Sequence, residues 1–241
     1  MKALIVLPSY NESENITALI QRILELRESY FVCVVDDNSP DGTSEVIKNF
    51  TDNLSSDQKH RIHLIVRDKK DGRGGAVRTG IQWGLNSVSD FQAFVEMDCD
   101  FSHPPTDLVQ GVELLKEADM VMGSRYPDGT IVGWPLKRRI FSFIANLLAR
   151  ILINWKIADY TNGFRFYSNQ AAEFMCQVPQ RHKGYIYLSE TIAAFLKNDF
   201  VIKSFPIVFV NRERGVSNTD MKEVLFALTG LFEVAWRYRF Q

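Results

Sequence analysis

Short, β-branched apolar runs recur through the first half of the chain, at residues 3–7, 31–35, 62–66, 91–97 and 120–122, and turn residues stop each one. Runs of that length with no polar alternation read as strands covered on both faces. Between them the apolar period becomes helical. Ile16, Leu19, Ile20 and Ile23 form one stripe, Val46, Ile47 and Phe50 a second, and Leu108, Val109, Val112 and Leu115 a third. Strand–helix–strand repetition admits few architectures. It predicts an α/β fold with a mostly parallel central sheet and helices on both faces.

The second half has a different texture. Residues 124–136 form a loop rich in Gly, Pro and Asp, and residues 140–155 read as a long, strongly apolar helix. A turn around 159–163, a helix near 188–196, a strand at 205–210 and a last helix from about 221 to 237 follow. No repeat, low-complexity tract or linker marks a boundary, so residues 1–241 are expected to form a single domain. Lys and Arg number 28 against 29 Asp and Glu, for a formal net charge of −1. No global basic field draws such a chain to nucleic acid, and any bound anion must be held locally. The 3 cysteines, Cys33, Cys99 and Cys176, are odd in number and have no CxxC spacing, which argues for a reducing compartment. The start, Met1-Lys2-Ala3-Leu4-Ile5-Val6-Leu7-Pro8, reaches proline too early for a signal peptide. No uninterrupted apolar run approaches the roughly 18 residues of a membrane span. The expectation is a chain that is soluble or lies on a membrane.

In an open parallel sheet, ligands bind at the carboxyl ends of the strands. Here those ends carry Pro8-Ser9-Tyr10-Asn11-Glu12, Asp36-Asp37-Asn38-Ser39-Pro40-Asp41-Gly42, Gly72-Arg73-Gly74-Gly75-Ala76, Asp98-Cys99-Asp100 and Gly123-Ser124-Arg125. So many acidic and turn residues on one rim predict a site there. Asp98 and Asp100 can both reach one hard cation, Mg²⁺ or Mn²⁺, which keeps open positions for a diphosphate. The alternative is a pair of loop-capping aspartates. The glycine cluster lacks GK[ST] and does not fit GxGxxG. It serves either as a tight entry to a helix beginning near Ala76 or as a backbone contact. His60, His63, His103 and His182 show no metal spacing, and only His103 lies near the rim, as a turn or supporting residue.

The rim motifs Leu7-Pro8-Ser9-Tyr10-Asn11-Glu12, Val35-Asp36-Asp37-Asn38-Ser39-Pro40-Asp41-Gly42-Thr43 and Met97-Asp98-Cys99-Asp100-Phe101-Ser102-His103-Pro104 resemble family 2 glycosyltransferases of GT-A fold. Gly123-Ser124-Arg125-Tyr126, Gly133-Trp134-Pro135-Leu136-Lys137-Arg138-Arg139, Asp159-Tyr160-Thr161-Asn162-Gly163-Phe164-Arg165 and Phe209-Val210-Asn211-Arg212 narrow the resemblance to the dolichol-phosphate (polyprenol monophosphate) mannose synthase family. That resemblance implies a Rossmann-like nucleotide-sugar fold with C-terminal amphipathic helices. Residues 1–123 would be the donor half and 124–241 the acceptor half. It implies GDP-mannose as donor, a polyprenyl or dolichyl monophosphate as acceptor and a divalent metal. Carried over by position, Pro8, Tyr10, Glu12 and one or both of Asp36 and Asp37 hold the nucleotide. Asp98 and Asp100 hold metal and diphosphate with Cys99 between them, and Arg125 contacts the donor. Arg138, Ser142 and Arg212 gather the acceptor phosphate and the diphosphate. The catalytic set is then Asp98, Asp100, Arg125 and Arg212.

The chain departs from the family pattern in places. Cys99 stands for a usual alanine, Leu188 for a common glutamine before Glu190, Asn211 for a common aspartate, and Asn218 for a usual lysine. Two other readings stay open: a glucosyl or other sugar transferase to the same lipid phosphate, and a non-catalytic nucleotide-sugar-binding subunit.

The chemistry constrains the residues. Charge building on the departing diphosphate calls for a metal and an arginine. A phosphate monoester is largely dianionic at neutral pH, so it attacks the anomeric carbon without a strong base, and the configuration inverts. It must be held against the donor's own phosphates, which the arginine fork of Arg138, Arg139 or Arg212 suits. Lys137-Arg138-Arg139 ahead of the apolar stretch 140–155 predicts a helix lying in a headgroup layer, against the competing view of a core helix. The expected location is peripheral, on the cytoplasmic face of a membrane, with room for a small membrane-anchoring subunit as partner.

Overall fold

Strand β1 (Ala3–Ser9) sends Leu4 and Val6 to one core and Ala3, Ile5 and Leu7 to the other, all fully buried. Such a strand needs cover on both sides and belongs in the middle of a sheet. It pairs in parallel with β2 (Tyr30–Asp36) and with β4 (Ala93–Glu96), and β3 (Ile62–Val66) extends the sheet beyond β2. These features come from a computed structural model that describes residues 1–182, 184–211 and 221–240.

Beyond β4 the direction changes. β5 (Met120–Ser124) is separated from β4 by β7 (Arg165–Ser168), which runs antiparallel to both. β8 (Ile202–Pro206) closes the sheet parallel to β5, giving the order β3-β2-β1-β4-β7-β5-β8. A separate ribbon pairs β6 (Thr130–Val132) with β9 (Val208–Val210). The mostly parallel sheet is as the sequence predicts. β7 is an addition that period reading does not reveal, because it is only 4 residues long and begins on a buried arginine. The single strand expected at 205–210 is in fact two pieces in different sheets. Phe205, Ile207 and Phe209 keep one buried alternation across the break, and that hides it.

Helices α1 (Ile16–Leu26), α2 (Thr43–Asp52) and α5 (Asp107–Leu114) supply residues to one core. α3 (Ser56–Lys59) is a single turn. The other core takes residues from α4 (Arg73–Leu85), α6 (Leu136–Leu152), α7 (Asn169–Gln177), α8 (Tyr187–Lys197) and α9 (Met221–Phe240). α4 lies close on the sheet because a Cβ at Gly80 would stand 2.5 Å from Val6, and one at Gly84 2.3 Å from Leu4. α6 begins at Leu136 and ends at Leu152, one turn earlier at each end than the apolar run 140–155 suggests. No described helix is long and apolar enough to cross a membrane.

Candidate active site

The loops after β1 and β2 are stitched together. Backbone N–H groups of Asn11, Glu12 and Ser13 donate to Ser39 Oγ, Thr43 Oγ1 and Asp41 Oδ2 at 3.0–3.1 Å. Asp36, fully buried, accepts from the Ser39 backbone N–H (2.9 Å) and from the hydroxyls of Ser39 (2.5 Å) and Ser44 (2.8 Å). Its carboxylate shapes the loop. Its neighbour Asp37 accepts from Arg67 Nε at 2.6 Å. Burial raises the Asp37 carboxyl above its usual range, against the pull of Arg67. Pro8 and Tyr10 lie on the β1 side of this rim, where the Lys70 ammonium sits 4.1 Å over the Tyr10 ring. Glu12 Oε2 accepts from Asn15 Nδ2 at 3.2 Å, at the start of α1.

The end of β4 supplies the next part of the rim. Cys99 Sγ donates to the Pro8 carbonyl at 3.3 Å, which ties this loop to β1. Burial holds its thiol well above the ordinary range, so it stays protonated. Asp100, nearly buried, accepts from the Ser102 backbone N–H at 3.1 Å. The Asp98 backbone N–H donates to His103 Nδ1 (3.3 Å), and His103 Nε2 lies 2.8 Å from Asn162 Oδ1. Those partners assign the proton to Nε2. Burial lowers the His103 pKa, so the ring is neutral at pH 7 and acts as a spacer between two loops.

Asp98 Oδ1 also meets Arg73, from the first turn of α4, at 3.0 Å from Nε and 2.9 Å from Nη2. The same guanidinium donates to Glu96 Oε2 (2.5 Å), the Tyr187 hydroxyl and the Gly163 carbonyl (2.9 Å). Glu96, with no exposure inside β4, further accepts from Tyr167 and Tyr187 and lies 3.9 Å from Arg165. Burial opposes the charge on Arg73, but Tyr187, Asp98 and Glu96 outweigh it and hold its pKa well above the ordinary value. Sequence reading did not find this network. The signal was one carboxylate, Glu96, inside an apolar strand, which requires a cation nearby.

Arg125, at the end of β5, is buried. Its Nε and Nη2 form a two-point pair with Asp159 at 2.8 Å each, Nη2 also reaches Thr161 Oγ1 (2.6 Å), and its backbone N–H caps the same carboxylate at 3.0 Å. Burial raises the Asp159 pKa, but Arg125 overcomes it and leaves that carboxyl below its usual range. Arg125 therefore clamps the turn at 159–163. That turn reaches the rim through Asn162 and Gly163, and α6 through Asn146, which donates to Thr161 Oγ1 (3.1 Å) and accepts from the Tyr160 N–H (2.7 Å).

On the α6 side, the Arg138 guanidinium stacks 3.9 Å from the centre of the Trp134 ring and donates to Asn211 Oδ1 (3.3 Å). The same indole lies 5.3 Å from Arg125 Cζ. Ser142 is buried and accepts from the Tyr126 hydroxyl at 3.1 Å. Arg212 and Asn218 lie outside the described residues. The glycine cluster is explained by packing. A Cβ at Gly74 would stand 2.7 Å from the Tyr187 ring, and one at Gly75 2.8 Å from Arg67 Nη1.

The family profile described as glycosyl transferase family 2 matches residues 4–175. The chain is 34% identical over 230 residues to the polyprenol monophosphomannose synthase of Mycolicibacterium smegmatis, covering 93% of this chain and 84% of that one. It is also 34% identical over 218 residues to the undecaprenyl-phosphate mannosyltransferase of Micrococcus luteus, covering 90% and 87%. A crystal structure of glucosyl-3-phosphoglycerate synthase from Mycobacterium tuberculosis, with Mn²⁺, UDP-glucose and phosphoglyceric acid, superposes with a TM-score of 0.71 at 15% identity, over 97% of this chain and 79% of that one. At that identity the likeness speaks to the fold alone.

Proposed function

The chain belongs to glycosyl transferase family 2 and is a GT-A glycosyltransferase, and on that premise we propose that it transfers mannose from GDP-mannose to a polyprenyl monophosphate with inversion. Mannosyl transfer to a polyprenyl phosphate follows the names of both relatives. The observation that carries the rest is the turn at 159–163, which holds the carboxylate rim on one side and α6 on the other. α6 buries Ser142, Asn146 and Ala149, while Ile140 (50% exposed), Phe143 (55%), Ile151 (52%) and, just beyond, Trp155 (58%) face outward. A lipid acceptor suits a helix dressed that way.

The donor set at Asp98 and Asp100, hard carboxylate oxygens beside a polar rim, fits Mg²⁺ or Mn²⁺. When bound, such a cation neutralises charge on the departing diphosphate. In this reading Asp37, Tyr10 and Glu12 flank the nucleotide. Asp36 and Cys99 keep the two loops in register, and Arg125 serves the donor by fixing the turn at 159–163. Arg138, steered by Trp134, and Arg212 hold the acceptor phosphate against the donor's own charge. Its dianion needs no base to attack. The free cysteines Cys33, Cys99 and Cys176 suit a reducing compartment. That supports a peripheral enzyme on the cytoplasmic face of a membrane, alone or with a small anchoring subunit.

The test is transfer of labelled sugar to undecaprenyl and dolichyl phosphate from GDP-mannose and UDP-glucose, with Mn²⁺ or with EDTA. Mannolipid from GDP-mannose that EDTA abolishes is expected. Product from UDP-glucose alone, or full activity in EDTA, would overturn the donor or the metal respectively.

A further inference from the structure

Resting on that metal-dependent reading, we propose that Arg73 is a positioning residue. It fixes the Asp98 carboxylate and keeps the rim from holding a divalent cation tightly until a nucleotide diphosphate arrives. All three nitrogens of its guanidinium have partners. Nε and Nη2 share Asp98 Oδ1 (3.0 and 2.9 Å), Nη2 also reaches the Gly163 carbonyl (2.9 Å), and Nη1 serves Glu96 Oε2 (2.5 Å) and the Tyr187 hydroxyl.

The seat is built to fit. A Cβ at Gly163 would stand 2.6 Å from Arg73 Nη2, and one at Gly74 2.7 Å from the Tyr187 ring behind it. A fork engaged at all three nitrogens does not rotate away at small cost, and its charge is permanent.

Two consequences follow for Asp98. One oxygen is committed to Arg73, so the carboxylate is held in a single rotation about its χ2 bond. A cation held by Asp98 would share that carboxylate with a fixed positive charge that is largely shielded from water. Among the described residues no group of three or more His, Cys, Asp or Glu could hold a metal by itself. A diphosphate changes the balance. It brings oxygen ligands to the cation and negative charge to both the cation and Arg73. Cation and diphosphate then bind cooperatively, and each must tighten the other by the same factor.

The test uses the full chain without nucleotide, titrated with Mn²⁺ alone, with free Mn²⁺ read by electron paramagnetic resonance. Arg73→Gln removes the charge and leaves Glu96 facing Arg165 at 3.9 Å, so the buried pair stays balanced. Arg73→Lys keeps the charge and loses the fork. Arg73→Gln should bind Mn²⁺ at least about tenfold more tightly than wild type, and Arg73→Lys should stay close to wild type. A purely structural role predicts the reverse for Arg73→Gln, unchanged or weaker Mn²⁺ binding with the fold retained by circular dichroism, and that result overturns the proposal. Should Arg73→Gln not fold, the wild type decides. Its GDP or UDP affinity must rise at least about tenfold with Mn²⁺, and equal affinity with and without the metal overturns the proposal. The Mn²⁺ titration contains no nucleotide, so an error in donor identity fails in the transfer assay and leaves this result standing.

Discussion

Helices α1 and α6 are both amphipathic, yet they are mounted the opposite way round. α1 buries Ile16, Leu19, Ile20, Ile23 and Leu24 under the sheet. α6 buries Ser142, Asn146 and Ala149, and leaves Ile140, Phe143, Ile144 and Ile151 exposed. α1 is held by the hydrophobic effect, at about 1.5–3 kcal/mol for each large side chain fully buried. α6 packs Leu148, Ala149 and Leu152 against the core and adds two hydrogen bonds between Asn146 and the turn at 159–163. A helix that buries Ser142 and Asn146 and turns Ile140, Phe143, Ile144 and Ile151 outward is not shaped by water alone. α9 shares only the outer part of this pattern: it buries Leu231, Val234 and Ala235, and also leaves Phe232, Trp236 and Phe240 exposed at a spacing of four. The first half of the chain is thus built as an ordinary water-facing fold with a polar rim, while the second half presents apolar helix faces beside that rim.

The sharpest way to separate the halves is to remove the chemistry and leave both helices alone. EDTA should abolish transfer. Asp100→Asn keeps an oxygen for the Ser102 N–H and should lower turnover by at least about two orders of magnitude with an unchanged melting curve. Wild-type turnover in Asp100→Asn would remove Asp100 from the metal site.

Asp159 joins the halves, and its loss should be felt in both. Asp159→Ala leaves Arg125 buried without its counter-charge, which costs about 3–5 kcal/mol in denaturant unfolding. The pH dependence has a definite sign. Because the folded Asp159 pKa is depressed, its contribution is present above the unfolded value near ~3.9 and is lost as pH falls through the lower folded value. The stability gap between wild type and Asp159→Ala should therefore close below about pH 3.9. A gap that stays constant to pH 2 would mean that the Arg125 pair is not its source.

The parts of this arrangement differ in how they show in the sequence. The rim is legible because strands in a parallel sheet must end, and the residues that end them, from Pro8 to Asp100, carry the chemistry themselves. The Glu96–Arg73–Arg165 network is not legible. Its members lie on β4, α4 and β7, far apart along the chain, and no period links them. Nor does the pattern of 140–155 reveal which way α6 faces, since an apolar stripe fits a core helix as well as an interfacial one. The partners of Asn146 decide it, and those partners, Tyr160 and Thr161, exist only once the turn has folded.

Matched substitutions in α1 and α6 should then give unlike results. Leu19→Ala in α1 should cost about 2–5 kcal/mol, as truncation of a buried leucine does. Ile151→Ser, on the outward face of α6, should change stability by no more than about 0.5 kcal/mol. Similar costs for the two would erase the contrast.

The smallest effect on stability should accompany a clear loss of function. The triple variant Ile140→Ser, Phe143→Ser and Ile151→Ser touches only exposed side chains, so its melting temperature should stay within a few degrees of wild type. Those side chains are the ones that would enter a headgroup layer, and removing them should weaken flotation with anionic liposomes by at least about tenfold. Lys137 and Arg139, both exposed at the start of α6, should add about 1 kcal/mol each at low salt and little at high salt. Arg138 should contribute less to this salt-sensitive part, because its guanidinium is stacked on Trp134. The pattern to look for is therefore flotation that falls with salt in the wild type and is weak at any salt in the triple variant, with transfer to a detergent-dispersed acceptor retained. Wild-type chain that stays in the soluble fraction at both salts would mean that the outward face of α6 does not dock on lipid by itself.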